Sequence, residues 1–277
     1  MEKRIIGRGL LAGAIGGLLA FLFARVFAEP AIQQAVDYES GRHEAQEALD
    51  RAAGLAAAAH EHDVFSRAVQ GNVGIGVALV FFGAAMGALF AVAYALCLGR
   101  AGRIRPRNLA LLVAGGGFLG MYAVPFLKYP ANPPAIGRDE TIQQRGTFYL
   151  LMVAASVLFL VLAAWLGKRL QPRFGTWNAA LIAGGVFIAA AAIVMLVLPS
   201  PGEMGEPLGR ATETPQPLTD ANGQIVFPGF PADVLYRFRL YSIGAQLLLW
   251  GAIGLIFAPM AERLLAPRRA AQTTINA

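Results

Sequence analysis

A chain of 277 residues in which 56% of side chains are apolar and only 14% charged, with a mean hydropathy of +0.54, falls outside the range of soluble domains and reads as an integral membrane protein. The formal net charge of +6 arises from lysines and arginines at the ends of apolar runs; they form no basic stripe, which excludes a nucleic-acid surface. A single cysteine, Cys97, excludes an intramolecular disulfide.

Six apolar runs follow one another, at about Gly9 to Ala28, Val73 to Leu98, Leu109 to Leu127, Thr147 to Leu166, Ala179 to Leu198 and Leu240 to Ala258. Each approaches the length that crosses a hydrocarbon core about 30 Å thick at about 1.5 Å per helical residue. The expected fold is therefore all-α, a polytopic transmembrane helix bundle of about six spans, with residues 1–277 forming a single integral membrane domain. The first run follows Lys3, Arg4 and Arg8 and ends in Val26-Phe27-Ala28, which also resembles a signal peptide with its cleavage site. Arginines at both ends can snorkel and extend this short run, so a retained span is expected.

Lysine and arginine crowd the short connections on one side: residues 1–8, Arg100 to Arg107, Lys168 to Arg173 and Arg263 to Arg269. By the positive-inside rule that side and both termini are cytoplasmic, and the bilayer is the inner membrane. The opposite side receives segments 29–72, 128–146 and 200–239, the first and last of them long outer loops, with every Asp and Glu except Glu2 and Glu262. Residues 41–60, rich in Ala, Glu and Gln, predict a surface helix, and Asn222-Gly223 predicts a small hairpin. Asp233 offers an N-cap for the last span. Glycines four apart, Gly13 with Gly17, Gly83 with Gly87 and Gly116 with Gly120, predict close helix contacts.

Chemistry has few places to sit. There is no phosphate loop and no protease or zinc-hydrolase motif, so an enzyme is not expected. The span interiors carry no Asp, Glu, Lys or His, the groups that mark proton relays and ion pathways. Met86, Cys97, Met121, Met152 and Met195 are scattered through the spans as packing residues. All three histidines fall in the first outer segment, where His43 and the run His60-Glu61-His62-Asp63 combine imidazole with carboxylate, a donor set for divalent first-row ions such as Co²⁺, Ni²⁺ or Zn²⁺. The plain alternative is an acidic surface helix that carries a few histidines.

A second group gathers at the outer ends of the spans: Arg25 and Glu29, Arg67 and Gln70, Lys128 with Tyr129 and Asn132, and Asp233 with Arg237 and Arg239. Arg25 with Glu29 and Asp233 with Arg237 are each four apart, which permits intrahelical ion pairs. One reading is snorkelling and salt bridging at helix ends. The other is an outer vestibule in which Glu29, Asn132 and Asp233 accept a partly hydrated cation, although the excess of positive charge suits an anionic ligand better. Around it, Val124-Pro125-Phe126-Leu127-Lys128-Tyr129-Pro130-Ala131-Asn132-Pro133-Pro134 stops a span abruptly, because its prolines remove amide donors and forbid continued helix.

That proline-rich stretch, Arg8-Gly9-Leu10-Leu11-Ala12-Gly13, Phe23-Ala24-Arg25-Val26-Phe27-Ala28-Glu29-Pro30, Ser66-Arg67-Ala68-Val69-Gln70 and Phe230-Pro231-Ala232-Asp233-Val234-Leu235-Tyr236-Arg237-Phe238-Arg239 run in an order that resembles the CbtA-type cobalt transporter subunits. The resemblance implies a cobalt permease component, Co²⁺ as the transported ion with no resident cofactor, outer metal collection at His60 and His62, and a small single-span partner with a histidine-rich end. Members of that family often carry a denser histidine run in the first outer loop, which such a partner would here supply. Three functional expectations follow: the membrane subunit of a divalent-metal uptake system, a non-transporting accessory subunit of a larger membrane complex, and an anion carrier using the outer cations.

Overall fold

The computed structural model describes residues 2–55, 69–102, 104–137, 139–204 and 213–275. It is all-α apart from one small hairpin: α1 (Glu2–Phe23), α2 (Glu29–Ala52), α3 (Ile75–Cys97), α4 (Pro106–Phe118), α5 (Val124–Lys128), α6 (Ile142–Val197), β1 (Leu218–Thr219), β2 (Ile225–Phe227) and α7 (Ala232–Ile275). Among the described residues five helices are long and apolar enough to cross a membrane: Glu2–Ala52, Gly71–Cys97, Pro106–Lys128, Ile142–Glu203 and Ala232–Leu265.

The longest of these is two arms. Gly175 has φ 74 and ψ 169, a conformation that ends one helix and starts another. The break falls after Pro172, between the apolar runs 147–166 and 179–198, and Gln171 Nε2 donates to Thr176 Oγ1 across it at 3.3 Å. The arms then fold onto each other: a Cβ on Gly167 would lie 3.4 Å from Ala183 Cβ, and Met152, Ala163, Phe187 and Ala191 share one buried cluster.

Among the described residues three π-helical turns interrupt the helices, at Ala24–Ala28, Gln70–Gly74 and Leu119–Ala123. Two of them precede a proline at the first or second position of the next helix, Pro30 and Pro125. Proline cannot donate to the preceding turn and its ring crowds the carbonyl four residues back. A widened turn absorbs both effects, so the helix passes through Pro30 and Pro125 and, as expected, stops at Lys128 ahead of Pro130. Of the surface helix expected over 41–60, residues 41–52 are helical, as the end of a helix that starts earlier, and residues 56–60 lie outside the described residues. Helix continues from α1 through the π turn into α2 and ends at Ala52, ahead of Gly54 at φ 75.

The chain forms two compact units. The first comprises residues 1–26, 66–122 and 243–277. Its central contact is between α1 and α3, which run antiparallel, with Gly9 at Gly87, Gly13 at Gly83 and Gly17 at Leu79. A Cβ on Gly13 would lie 2.1 Å from the Gly83 carbonyl oxygen, and one on Gly83 2.4 Å from that of Gly13. Against this pair packs α7: Gly16 lies against Leu249 and Ala252, and Phe257 meets Phe90 and Tyr94 edge-on with ring centroids 4.9 Å apart in each case. Tyr94, fully buried, donates its hydroxyl to the Pro106 carbonyl at 3.3 Å, which ties α3 to the start of α4. The sulfur atoms of Met86, Cys97 and Met121 belong to residues packed against this core.

The second unit comprises residues 27–65 and 123–242. In it Ala31, Ala35 and Tyr38 of α2 form a core with Ile136, Phe230 and Val234. Tyr38 meets Phe230 edge-on at 4.9 Å, donates to the Pro228 carbonyl at 3.1 Å, and sits beside Arg42, whose Nη1 donates to the Gln216 carbonyl at 2.7 Å. The expected hairpin forms: β1 and β2 pair antiparallel, and Asp220 Oδ1 accepts from the amides of Asn222 and Gln224 in the turn. Each arm of α6 leaves large apolar side chains exposed, among them Leu150, Val161, Ile188 and Leu196, as lipid-facing surfaces do.

The glycine contact is testable. Gly13→Val should force α1 from α3 and lower the apparent Tm of the purified protein in detergent, at a cost of about 1–3 kcal/mol or more for overpacking. Gly7→Val, where no atom lies within 4 Å of the added Cβ, should leave the Tm within a degree or two, about the effect of a neutral surface change. Equal melting of both variants would remove the glycine contact as a determinant of this fold.

Candidate polar site at the proline-rich exit

In the second unit the helix through Pro125 ends at Lys128, and residues 129–137 turn away without regular structure until Asp139. This break fixes a series of polar groups. Lys128 Nζ donates to Ser200 Oγ at 3.2 Å, and the buried Tyr129 hydroxyl donates to the Pro199 carbonyl at 2.8 Å, so the exit is tied to the far end of α6. Ser200 in turn caps a short turn with Glu203, whose Oε2 accepts from the Ser200 amide at 2.7 Å. Burial, and next the Glu203 carboxylate, hold the Tyr129 phenol above its ordinary pKa. It therefore stays a donor, and its share of stability is whole below the unfolded tyrosine pKa and lost as pH rises through the folded one.

Asn132 sits at the centre of the arrangement. Its carbonyl oxygen accepts from Arg239 Nη2 at 2.8 Å, while Arg239 Nε donates to the Ala131 carbonyl at 3.3 Å. Its amide nitrogen donates to Glu213 Oε2 at 3.2 Å, and the same oxygen accepts from Arg145 Nη1 at 3.3 Å. The Glu213 side chain is 3% exposed, and its Oε1 is buried without a hydrogen bond. Leaving such an acceptor unmade costs about 1–3 kcal/mol. Gly137 makes the arrangement sterically open: its φ is 113, and a Cβ there would lie 2.1 Å from Arg145 Nη1.

Of the residues the sequence singles out, Lys128, Tyr129, Asn132 and Arg239 belong to this site. Asp233 does not cap α7. The helix begins one residue earlier, so Asp233 lies in its first turn, where an acid favours the helix dipole, and pairs with Arg237 on an exposed surface. Glu29 opens α2. In the first unit, Arg25 Nε donates to Asn72 Oδ1 at 2.8 Å, which bridges two π turns, and Gln70 opens the second of these. His43 Nε2 lies 3.3 Å from Glu47 Oε1, one helical turn on. His60, Glu61, His62, Asp63 and Arg67 lie outside the described residues. Among the described residues no group of three or more His, Cys, Asp or Glu could hold a metal ion.

Sequence reasoning missed Arg145 and Glu213. A signal for Arg145 exists: it is a cation in a segment expected to lie on the side where positive charge is disfavoured, shortly before an uncharged run. Glu213 lies in a proline-rich loop without periodicity, and nothing in its neighbours points to a partner at Arg145.

The family described as Probable cobalt transporter subunit (CbtA) matches residues 2–262, nearly the whole chain. No curated protein and no solved structure matches it. An all-helical multi-pass membrane architecture fits a transporter subunit. The chain belongs to the CbtA family of probable cobalt transporter subunits.

Proposed function

We propose that this protein is the membrane subunit of a divalent-metal uptake system whose ion is cobalt. The family match over residues 2–262 carries this reading, on a chain whose helices are built to cross a bilayer. Both termini lie on the cytoplasmic side of the inner membrane; the distribution of lysine and arginine supports this orientation. The protein has no enzymatic role. His60, Glu61, His62 and Asp63, with His43 near them in sequence, concentrate the ion outside, and a small single-span partner with a histidine-rich end completes the ligand set. Glu29, Asn132 and Asp233 frame the vestibule beside Lys128, Tyr129, Arg237 and Arg239, and Arg25 holds a helix end.

A second reading has its own support. The span interiors carry no Asp, Glu, Lys or His, and Arg239 and Glu213 both engage Asn132, which leaves that amide committed to protein partners. Both facts favour an accessory subunit that binds a larger membrane complex and moves no ion itself.

Cobalt accumulation by cells, measured by mass spectrometry at submicromolar metal (about the range of tight metal sites), separates the two. Expression of this chain with its small partner should raise uptake several-fold over cells with the partner alone. No gain with this chain present, together with its copurification in a large native membrane complex, would establish the accessory reading. Within the transport reading, the double substitution His60→Ala and His62→Ala should lower uptake at limiting cobalt and leave it near normal at excess. Unchanged uptake at limiting cobalt would remove these histidines from the mechanism.

A further inference from the structure

The bend of α6 carries positive charge without a counter-charge. Trp165, Arg169 and Arg173 follow at four-residue intervals along the end of the first arm, so they lie on one side of the helix. No Asp or Glu occurs between Glu140 and Glu203, and among the described residues no carboxylate pairs with either arginine. Like charges one turn apart destabilise a helix. Both guanidinium groups lie over aromatic rings instead: Arg169 Cζ is 5.5 Å from the centroid of Trp165, and Arg173 Cζ is 5.3 Å from that of Phe174. Such a contact orients a guanidinium but brings no oxygen to its N–H donors. Both arginines are exposed, as are Trp165 at 57% and, past the break at Gly175, Trp177 at 74%.

The arms on either side are apolar over residues 147–166 and 179–198 and expose large apolar side chains, so the bend lies where the bilayer meets water. Tryptophan favours the headgroup level of that boundary, which sets the two arginines among lipid phosphates. We propose that the α6 bend is a docking site for a phospholipid of net negative charge, whose headgroup phosphate Arg169 and Arg173 share. The shared anion relieves the repulsion between the two cations, and its oxygens meet N–H donors in the forked geometry that arginine offers to phosphate. A zwitterionic headgroup brings its own cation to the same place and relieves that repulsion less. Phosphatidylglycerol should therefore be held at the bend in preference to phosphatidylcholine. This inference rests on the membrane-spanning arms of α6 and not on the identity of any transported ion.

Tryptophan fluorescence reads this site directly. Of the three tryptophans, Trp165 and Trp177 are exposed at the bend, while Trp250 is 4% exposed in the core of the first unit. The full chain is reconstituted in vesicles of phosphatidylcholine and phosphatidylglycerol in equal parts, with bromine, a contact quencher, on the acyl chains of one lipid or the other. Quenching of the wild type should give phosphatidylglycerol a relative association constant about fivefold higher, the attraction of about one cation to an anionic surface. Arg169→Gln with Arg173→Gln should bring that ratio close to unity. Lys3→Gln with Arg4→Gln, which removes equal charge from exposed positions at the start of α1, should leave it at the wild-type value. Should the double bend variant fail to fold, Arg173→Gln alone takes its place and should lower the ratio by about half. Equal quenching by the two lipids would leave the bend to another occupant, such as an acidic protein partner, and overturn the proposal. So would a preference that survives the loss of the bend arginines, or one that Lys3→Gln with Arg4→Gln lowers as far.

Discussion

Backbone contact between α1 and α3 is the constraint on which the first unit depends. Lipid tails are as apolar as leucine, so helices in a bilayer gain little by burying apolar side chains against one another and depend on close packing and polar contacts. At Gly13 and Gly83 the missing side chains bring each backbone within reach of the other's carbonyl oxygens. The third helix of this unit uses the same economy, with Gly16 against Leu249 and the Trp250 ring set over Gly117. Once the small residues have fixed the spacing, the larger ones fill it: Tyr94, Phe90 and Phe257 form an aromatic core whose one hydroxyl is satisfied by Pro106.

The second unit rests on a different device. An apolar helix ends where proline removes its donors, and the freed chain must satisfy its polar groups elsewhere. Tyr129 and Lys128 do so against Pro199 and Ser200, and Asn132 against Arg239 and Glu213. Each of these bonds joins segments far apart in sequence, so the exit serves as a clamp on the ends of several elements. Such bonds are strong where water is scarce and costly where one partner is missing. That asymmetry makes the half-used carboxylate of Glu213 the exceptional feature of the cluster.

Much of the architecture was legible because membrane spans are written in composition. Uncharged runs, glycine spacing and the proline stretch each report a local cause, and the Asn222-Gly223 hairpin follows from turn chemistry alone. The helix expected over 41–60 starts earlier, at Glu29, because a π turn carries the chain helically past Pro30, which no periodicity in the sequence reports. Asp233 was misread by one residue, within the usual uncertainty of a helix start. At the site, Lys128, Tyr129, Asn132 and Arg239 could be found as polar residues in a rigid setting. Glu213 could not, since its role depends on a long-range meeting with Arg145 that no local pattern encodes.

Charge decides how these pieces can serve a cation. Near the exit, Lys128, Arg145 and Arg239 are each held in hydrogen bonds to the protein, Arg145 to Glu213 and Arg239 to Asn132. Any one of these cations opposes a divalent ion by about 4 kcal/mol per unit-charge pair at 4 Å and an effective dielectric of about 20, doubled for a double charge, and a carboxylate at the same distance offsets it by as much. The chain's densest acidic and imidazole sequence lies elsewhere, at His60-Glu61-His62-Asp63. The proposed collection of metal therefore rests on the chemistry of that stretch, while the hydrogen-bonded cations at the exit are spent on holding the ends of the helices together.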